Sequence, residues 1–412
     1  MNVYRPSDSM LAQSNAATMT GVIAARGTSR PRIAIVRDLV EENWPSMELV
    51  PDMLFEHLNL HHSGEFAATQ LCPPMQRYFR RLPLRGGRAF CFNADRLLNR
   101  FVNYPRWLHR RAPQFDLFHI IDHSYGQLLH NLPAERTVVT CHDLDTFRCL
   151  LDPAKESRPL WFRSMTQRIL EGFRKAAHVI AVSGATRDEI LRHGLVSPER
   201  VTVVHNGVHP SCSRLPDPAT DDEAARLLPD DSGGTVWVLN VGSVAPRKRI
   251  DTLLRVFAAI RRNIPQARLV RVGGGFTPRQ LHLARELNVE NAVLVLPSLP
   301  RNILAAVYRR ATLLLLPSEA EGFGLPLIEA LACGCPVVAS DIPVLREVGG
   351  PAAAYCPLAD VDAWKDTALG IIRDQNASER HPGPGLAYAS RFSWEENARQ
   401  TAAIYKMVLE RA

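Results

Sequence analysis

Glu321-Gly-Phe-Gly-Leu-Pro-Leu-Ile-Glu329 runs on into Ala330-Leu-Ala-Cys-Gly-Cys-Pro336, with the apolar run Leu313–Leu316 before it and residues 337–339 (Val-Val-Ala) after it. That order reads as strand, glycine-rich turn, helix and strand, the unit from which parallel sheets are built. Pro326 suits the first turn of a helix, where its missing N–H costs little. Gly322 and Gly324 permit backbone conformations closed to other residues and let a ligand come close. The helix N-terminus behind them offers free N–H groups and a positive dipole end to an anion. Glu321 in the turn and Glu329 in the helix stand eight residues apart and supply acceptors for hydroxyl groups. The segment suits a ligand that carries both phosphate and sugar.

Outward from this segment the same alternation continues. Val236–Val241 precedes a predicted helix near residues 251–262, a strand at 268–272 precedes a helix at 278–287, and Val293–Leu296 precedes a helix at 303–310. In the first half, Arg32–Val36, residues 117–121, Thr137–Cys141 and residues 179–182 and 201–204 read as strands, with amphipathic helices at 161–176 and 185–193. These runs are rich in Val and Ile without clean alternation, as in parallel strands covered on both faces. Between the halves, the proline- and acid-rich stretch from Pro210 to Gly234 reads as a linker. The expected organisation is a disordered tail over residues 1–30, a first Rossmann-like domain over 31–210, a linker over 211–234 and a second Rossmann-like domain over 235–392. A last helix at 394–409, N-capped by Ser393, carries Ala398, Ala402, Ile404, Tyr405 and Val408 as apolar contacts and is expected to pack back on the first domain. Ligands of such sheets bind beyond the carboxyl ends of the strands, here in the cleft between domains.

At 412 residues, 46% hydrophobic and 22% charged, the chain has the composition of a two-domain globular protein. No apolar run approaches the roughly 18 residues of a membrane span, and the first thirty residues lack the apolar core of a signal peptide. The eight cysteines form no CxxC pair or disulfide framework. Cys333 and Cys335 lack companion ligands for a metal, so reduced thiols in a cytoplasmic protein are expected. His61-His62 reads as surface. The net charge of +7 is uneven: from Arg77 to Arg111 lie ten arginines against Asp95 alone, interleaved with aromatics. An anionic membrane surface is the favoured partner for this run. A groove for single-stranded nucleic acid and a solvated helical face are the alternatives, and nucleic acid is not expected as a partner.

The second half opens with Asn240-Val-Gly-Ser-Val-Ala-Pro-Arg-Lys-Arg249, a strand end at Gly242 followed by three cations before a helix. Arg247 can fork onto phosphate oxygens and Lys248 acts as a point charge. With the Glu321–Glu329 segment, this turn resembles the donor half of glycosyltransferase family 4, strongly over residues 235–350 and by topology elsewhere. The resemblance implies an α/β protein of GT-B architecture, two doubly wound domains facing each other across a cleft, a nucleotide-sugar donor, transfer with retention, and no metal or other cofactor. It implies that Arg247 and Lys248 hold the donor diphosphate, that Glu321 meets sugar hydroxyls, and that Glu329 binds the ribose diol. Gly242, Gly322, Phe323, Gly324 and Leu325 would line the donor through their backbone, with Gly273-Gly-Gly275 keeping the floor open.

In the first half, Thr140-Cys-His142-Asp143 resembles the family's strand end with an active-site histidine, which implies that His142 sits beside the transferred sugar and, with Glu321, belongs to the catalytic pair. Asp143 either orients His142 or caps a helix. His123 after its own strand is a candidate for the acceptor side, and Ser183 and Asn206-Gly207 for the cleft wall. One departure stands out. The family often carries glycines after the first strand, whereas Arg37-Asp-Leu-Val-Glu-Glu-Asn-Trp-Pro-Ser46 has none and reads as a loop shaping the acceptor site. The resulting expectation is a hexosyltransferase of polysaccharide or cell-envelope synthesis, cytoplasmic or peripheral at the inner membrane face, acting on a glycan or lipid-linked acceptor. A nucleotide-sugar epimerase and a non-catalytic glycan- or nucleotide-binding protein are the alternatives. A dinucleotide oxidoreductase is weakest, because no G-x-G-x-x-G follows the first strand.

Overall fold

The computed structural model describes residues 30–79, 87–229, 234–374 and 382–412. Apart from Arg30, the tail expected over residues 1–30 lies outside them. Pro31–Ala412 carries two six-stranded parallel sheets. The first is built from β1 (Arg32–Val36), β2 (Ala67–Leu71), β3 (Leu117–Ile120), β4 (Thr137–Cys141), β5 (His178–Ala181) and β6 (Val201–Val203), in the order β2-β1-β3-β4-β5-β6. The second is built from β7 (Val236–Val241), β8 (Ala267–Val272), β9 (Val293–Leu296), β10 (Leu313–Leu316), β11 (Val337–Ser340) and β12 (Ala354–Cys356), in the order β12-β11-β10-β7-β8-β9. Every residue of β3, β4, β5, β10 and β11 is buried, which is why these strands read as largely apolar runs without alternation.

Strand order fixes where a ligand can sit. The direction of winding reverses between β1 and β3 in the first sheet and between β7 and β10 in the second, and the crevice beyond the strand ends opens at such points. The turns leaving β7 and β10 carry Gly242–Arg249 and the glutamate segment. Those leaving β1 and β3 carry Arg37–Trp44 and Asp122-His123. The two halves therefore present their loops to one cleft.

Several expectations change. The stretch after β1 is only briefly a loop: Trp44 precedes a helix, Pro45–His61, in which Pro45 takes the first position, where a missing N–H is tolerated. Residues 211–229 of the stretch expected as a linker are packed against the second half. Within them the helix Pro218–Leu227 buries Ala224, and Leu228 just beyond it, in the core of the second half, and Asp221 pairs with Arg309 of the helix Arg301–Arg310. Asp221, Asp222 and Glu223 interrupt the apolar spacing of Pro218–Leu227 and hid the helix. Neither β2 nor β12 was expected from the sequence. Both are edge strands, half-polar or short, with little apolar patterning.

The chain returns to the first half at its end. Ser393 caps the helix Trp394–Arg411 by accepting from the Glu396 N–H, and Trp394, Ala398, Ala402, Tyr405 and Val408 pack with Ile33, Leu49 and Val138 of the first half. Where it crosses, Val208 N–H donates to Phe392 O (2.9 Å). A Cβ on Gly207 would lie 2.4 Å from Trp394 N, a backbone atom that cannot swing aside. Gly207→Ala should therefore cost about 1–3 kcal/mol, measured as a lower urea midpoint. An unchanged midpoint would show that the crossing is looser than the close approach implies.

Candidate active site

In the second half the two cation- and carboxylate-bearing turns close on each other. Gly242 ends β7 at φ +143°, and a side chain there would be strained. The 3-10 turn Pro246–Lys248 follows, and its Arg247 carbonyl accepts from Glu319 N–H at 2.7 Å. Lys248 Nζ sits 2.5 Å from Glu321 Oε1, which also accepts from Ser318 Oγ at 2.7 Å. Arg247 donates to Ala320 O at 3.0 Å and reaches Glu321 Oε2 at 3.5 Å. Burial alone would raise the Glu321 carboxyl, but the Lys248 and Arg247 charges outweigh it and hold the group below its ordinary value. Gly273 (φ +107°) abuts the Gly242 carbonyl. Among the described residues no group of three His, Cys, Asp or Glu side chains could hold a metal ion.

Gly324 at φ +92° starts the helix Leu325–Ala332, with Pro326 in its first turn. Glu329 within it is not a solvent-facing residue: it is buried and accepts from Tyr308 Oη at 3.0 Å. Burial raises its carboxyl more than Tyr308 and Arg301 lower it. The Phe323 ring is buried in the core against Phe392 and His205, so only its backbone is available to a ligand. Leu325 lines the cleft.

In the first half, His142 leaves β4 nearly buried, with Nε2 2.8 Å from Ile121 O. A carbonyl only accepts, so Nε2 carries the proton and Nδ1 keeps its lone pair. Burial lowers the imidazole pKa against the opposing pull of Asp122. His142 is thus a neutral acceptor beside the cleft. His123 stands behind it. Its Nδ1 receives the His142 N–H at 3.4 Å and lies 3.3 Å from Asp122 Oδ1, and its ring meets Phe147 and Phe173 edge-on. Asp143 caps the following turn by accepting from Asp145 N–H at 3.0 Å and does not orient His142. Its other oxygen is 3.7 Å from Arg247.

The halves touch at this point. A Cβ on Gly322 would fall 1.8 Å from His142 O, so the glycine is required by close approach and not by a left-handed φ. The Gly322 carbonyl accepts from Ser183 Oγ at 2.8 Å and Thr186 Oγ1 at 3.3 Å. Arg247 Nε pairs with Asp145 Oδ2 at 2.6 Å. Burial and the neighbouring Asp143 raise Asp145 more than Arg247 lowers it. Asp145 and Tyr308 were not singled out in the sequence, because their roles exist only through contacts between distant segments.

The cleft is one cavity of about 1270 Å³, above the roughly 300–1,000 Å³ of a usual small-molecule site. It is lined by His142, Asp143, His123 and Asn206 from the first half and by Gly242, Arg247, Lys248, Glu321, Gly322, Phe323, Gly324, Leu325 and Glu329 from the second. Trp44 and Trp161 line its outer part. In its described part the arginine run does not turn all its cations outward. Arg96 and the buried Arg100 turn inward onto Glu42 at 3.0 and 3.5 Å, and Asp95 accepts from the N–H groups of Tyr78 and Phe79. Residues 80–86 of that run lie outside the described part. No described helix is long and apolar enough to cross a membrane.

The family profile described as Glycosyl transferases group 1 matches residues 231–382, and that of Glycosyltransferase Family 4 matches residues 61–211. O-antigen chain mannosyltransferase B of Escherichia coli is 28% identical over 373 residues, covering 88% of this chain and 95% of its own. Among solved structures, a sucrose-phosphate synthase from Thermosynechococcus elongatus superposes with TM-score 0.71 at 22% identity, over 93% of this chain and 100% of that one. Anabaena HepE, crystallised with UDP and glucose, gives TM-score 0.69 at 16% identity, over 92% and 100%. At such identities these two structures speak to the fold alone. The two profiles fall in turn on the two halves whose loops meet at the cleft, and the chain belongs to the family 4 glycosyltransferases (glycosyl transferases group 1), enzymes of GT-B fold.

Proposed function

We propose that this glycosyltransferase moves a hexose from a nucleoside-diphosphate sugar to a glycan or lipid-linked glycan acceptor, with retention at the anomeric carbon and without a metal ion. The observation that carries the reading is the Arg247–Lys248–Glu321 cluster, set in one cavity with Glu329 and faced by His142. The donor half is the second sheet and the acceptor half the first. Glu329, buried beside Tyr308, would accept from the ribose diol, and Glu321 from sugar hydroxyls. The mannosyltransferase relative supports a hexose as the transferred group.

In this scheme the bond from the anomeric carbon to the phosphate oxygen breaks and its electron pair leaves with the diphosphate. Arg247 and Lys248 balance that charge where it develops, the part a metal ion plays in other transferases. The acceptor oxygen bonds to the same face of the sugar, and its proton passes to the departing phosphate oxygen. His142 has a free Nδ1 lone pair and would accept from a sugar hydroxyl, orienting the ring while the positive charge grows.

Lys248→Ala should lower kcat about 10²–10³-fold. Glu329→Ala should act chiefly on the donor KM. Unchanged donor turnover in both variants would show that the site is wrongly assigned. The best first screen is a nucleotide-sugar panel read by thermal shift and slow hydrolysis. The raised Glu329 carboxyl gives a pH dependence. Its charged form, the better acceptor for two hydroxyls, is present above its pKa, so nucleotide affinity should fall on acidification, beginning at a higher pH than for an ordinary glutamate. Glu329→Gln should flatten that profile in titration calorimetry. Turnover in excess EDTA should match turnover with added Mg²⁺ or Mn²⁺, and loss restored by either ion would overturn metal independence.

A further inference from the structure

Four cations surround the turn after β7, and three are neutralised. Arg247 has Asp145 at 2.6 Å, Lys248 has Glu321 at 2.5 Å, and Arg249 has Asp251 at 3.0 Å. The fourth, Arg271 on β8, is 0% exposed, and no ion pair reaches it among the described residues. Its guanidinium donates to the carbonyls of Val272 and Gly242, and its Nε has no hydrogen-bond partner. A buried charge without a counter-charge is expensive, and two carbonyl dipoles offset only part of that cost. The peptide whose carbonyl Arg271 holds ends in the Ser243 N–H. Ser243 lines the cleft beside Gly242 and Lys248, so the pull on the carbonyl sharpens that N–H as a donor toward the cavity.

We propose that Arg271 is the positioning residue for the donor diphosphate: it places an unbalanced positive charge beneath the turn after β7 and aims the Gly242–Ser243 peptide at the phosphates. The three cations of the turn itself are already matched by carboxylates, so the turn's uncompensated positive charge lies below it, on Arg271. This inference rests on the nucleotide-sugar reading above.

The alternative is a structural clamp joining the ends of β7 and β8, and the test separates the two. The probes are UDP and GDP, each beside its own nucleoside, titrated by calorimetry into the full chain. Arg271→Met should weaken diphosphate binding about tenfold or more and leave nucleoside binding within about twofold, while Arg271→Lys recovers most of the loss. Because a core substitution can fail to fold, a second pair of variants leaves Arg271 in place. Val295 on β9 lies in register with Arg271 and is 39% exposed. Val295→Glu brings a carboxylate alongside Arg271, whereas Val295→Gln does not. The glutamate variant should bind the diphosphate at least about threefold more weakly than the glutamine variant, with nucleoside binding equal. Equal diphosphate binding by the Val295 pair, or parallel losses for diphosphate and nucleoside, would overturn the proposal. If the unmodified chain bound neither diphosphate, the nucleotide-sugar reading itself would fall instead.

Discussion

The Gly322 peptide against the carbonyl of His142 is the contact on which the cleft depends. No side chain fits between them, so the turn after β10 and the end of β4 approach as backbone to backbone. Ser183 and Thr186 fasten the same peptide from the first half. A parallel sheet alone offers only a crevice at its strand ends. Two sheets become one site because this contact sets their strand ends face to face, with the neutral imidazole of His142 on one wall and the Glu321–Lys248 pair on the other.

Charge in this cleft is arranged in matched sets and not as a bare basic pocket. Glu321 is shared by Lys248 and Arg247, Arg247 also reaches Asp145 across the cleft, and Glu42 collects Arg96 and Arg100. Such sets hold side chains in fixed rotamers before a ligand arrives, which reduces what must be reorganised when charge moves. They also mean that an arriving diphosphate shares cations with carboxylates already present.

Much of this was readable from the amino acids. The interior strands announced themselves as runs rich in Val, Ile and Leu, since burial on both faces leaves few polar positions, such as His119 and Thr140, to interrupt them. The glycines, Pro326 and the paired glutamates marked the turn after β10, and Arg247-Lys248 marked its partner. What escaped was whatever depends on distant segments meeting. Ala67–Leu71 has no pattern of its own and becomes a strand by pairing with β1. The helix Pro218–Leu227 looked like a linker because Asp221, Asp222 and Glu223 interrupt its apolar spacing. Asp145 and Tyr308 are ordinary residues until Arg247 and Glu329 lie beside them. Even Gly322, picked out for its backbone freedom, matters for the space beside His142 more than for freedom of φ.

The return of the helix Trp394–Arg411 to the first half bears on the order of synthesis. Ile33, Leu49 and Val138 leave the ribosome early but pack against Trp394, Ala398 and Tyr405, which leave it only after the whole second sheet. The second sheet, with all its strands between Val236 and Cys356, can be complete while one face of the first is still uncovered. Domains commonly mature in the order in which they are made. Here the half made first is the one finished last, and its nascent form must remain soluble with that apolar face open.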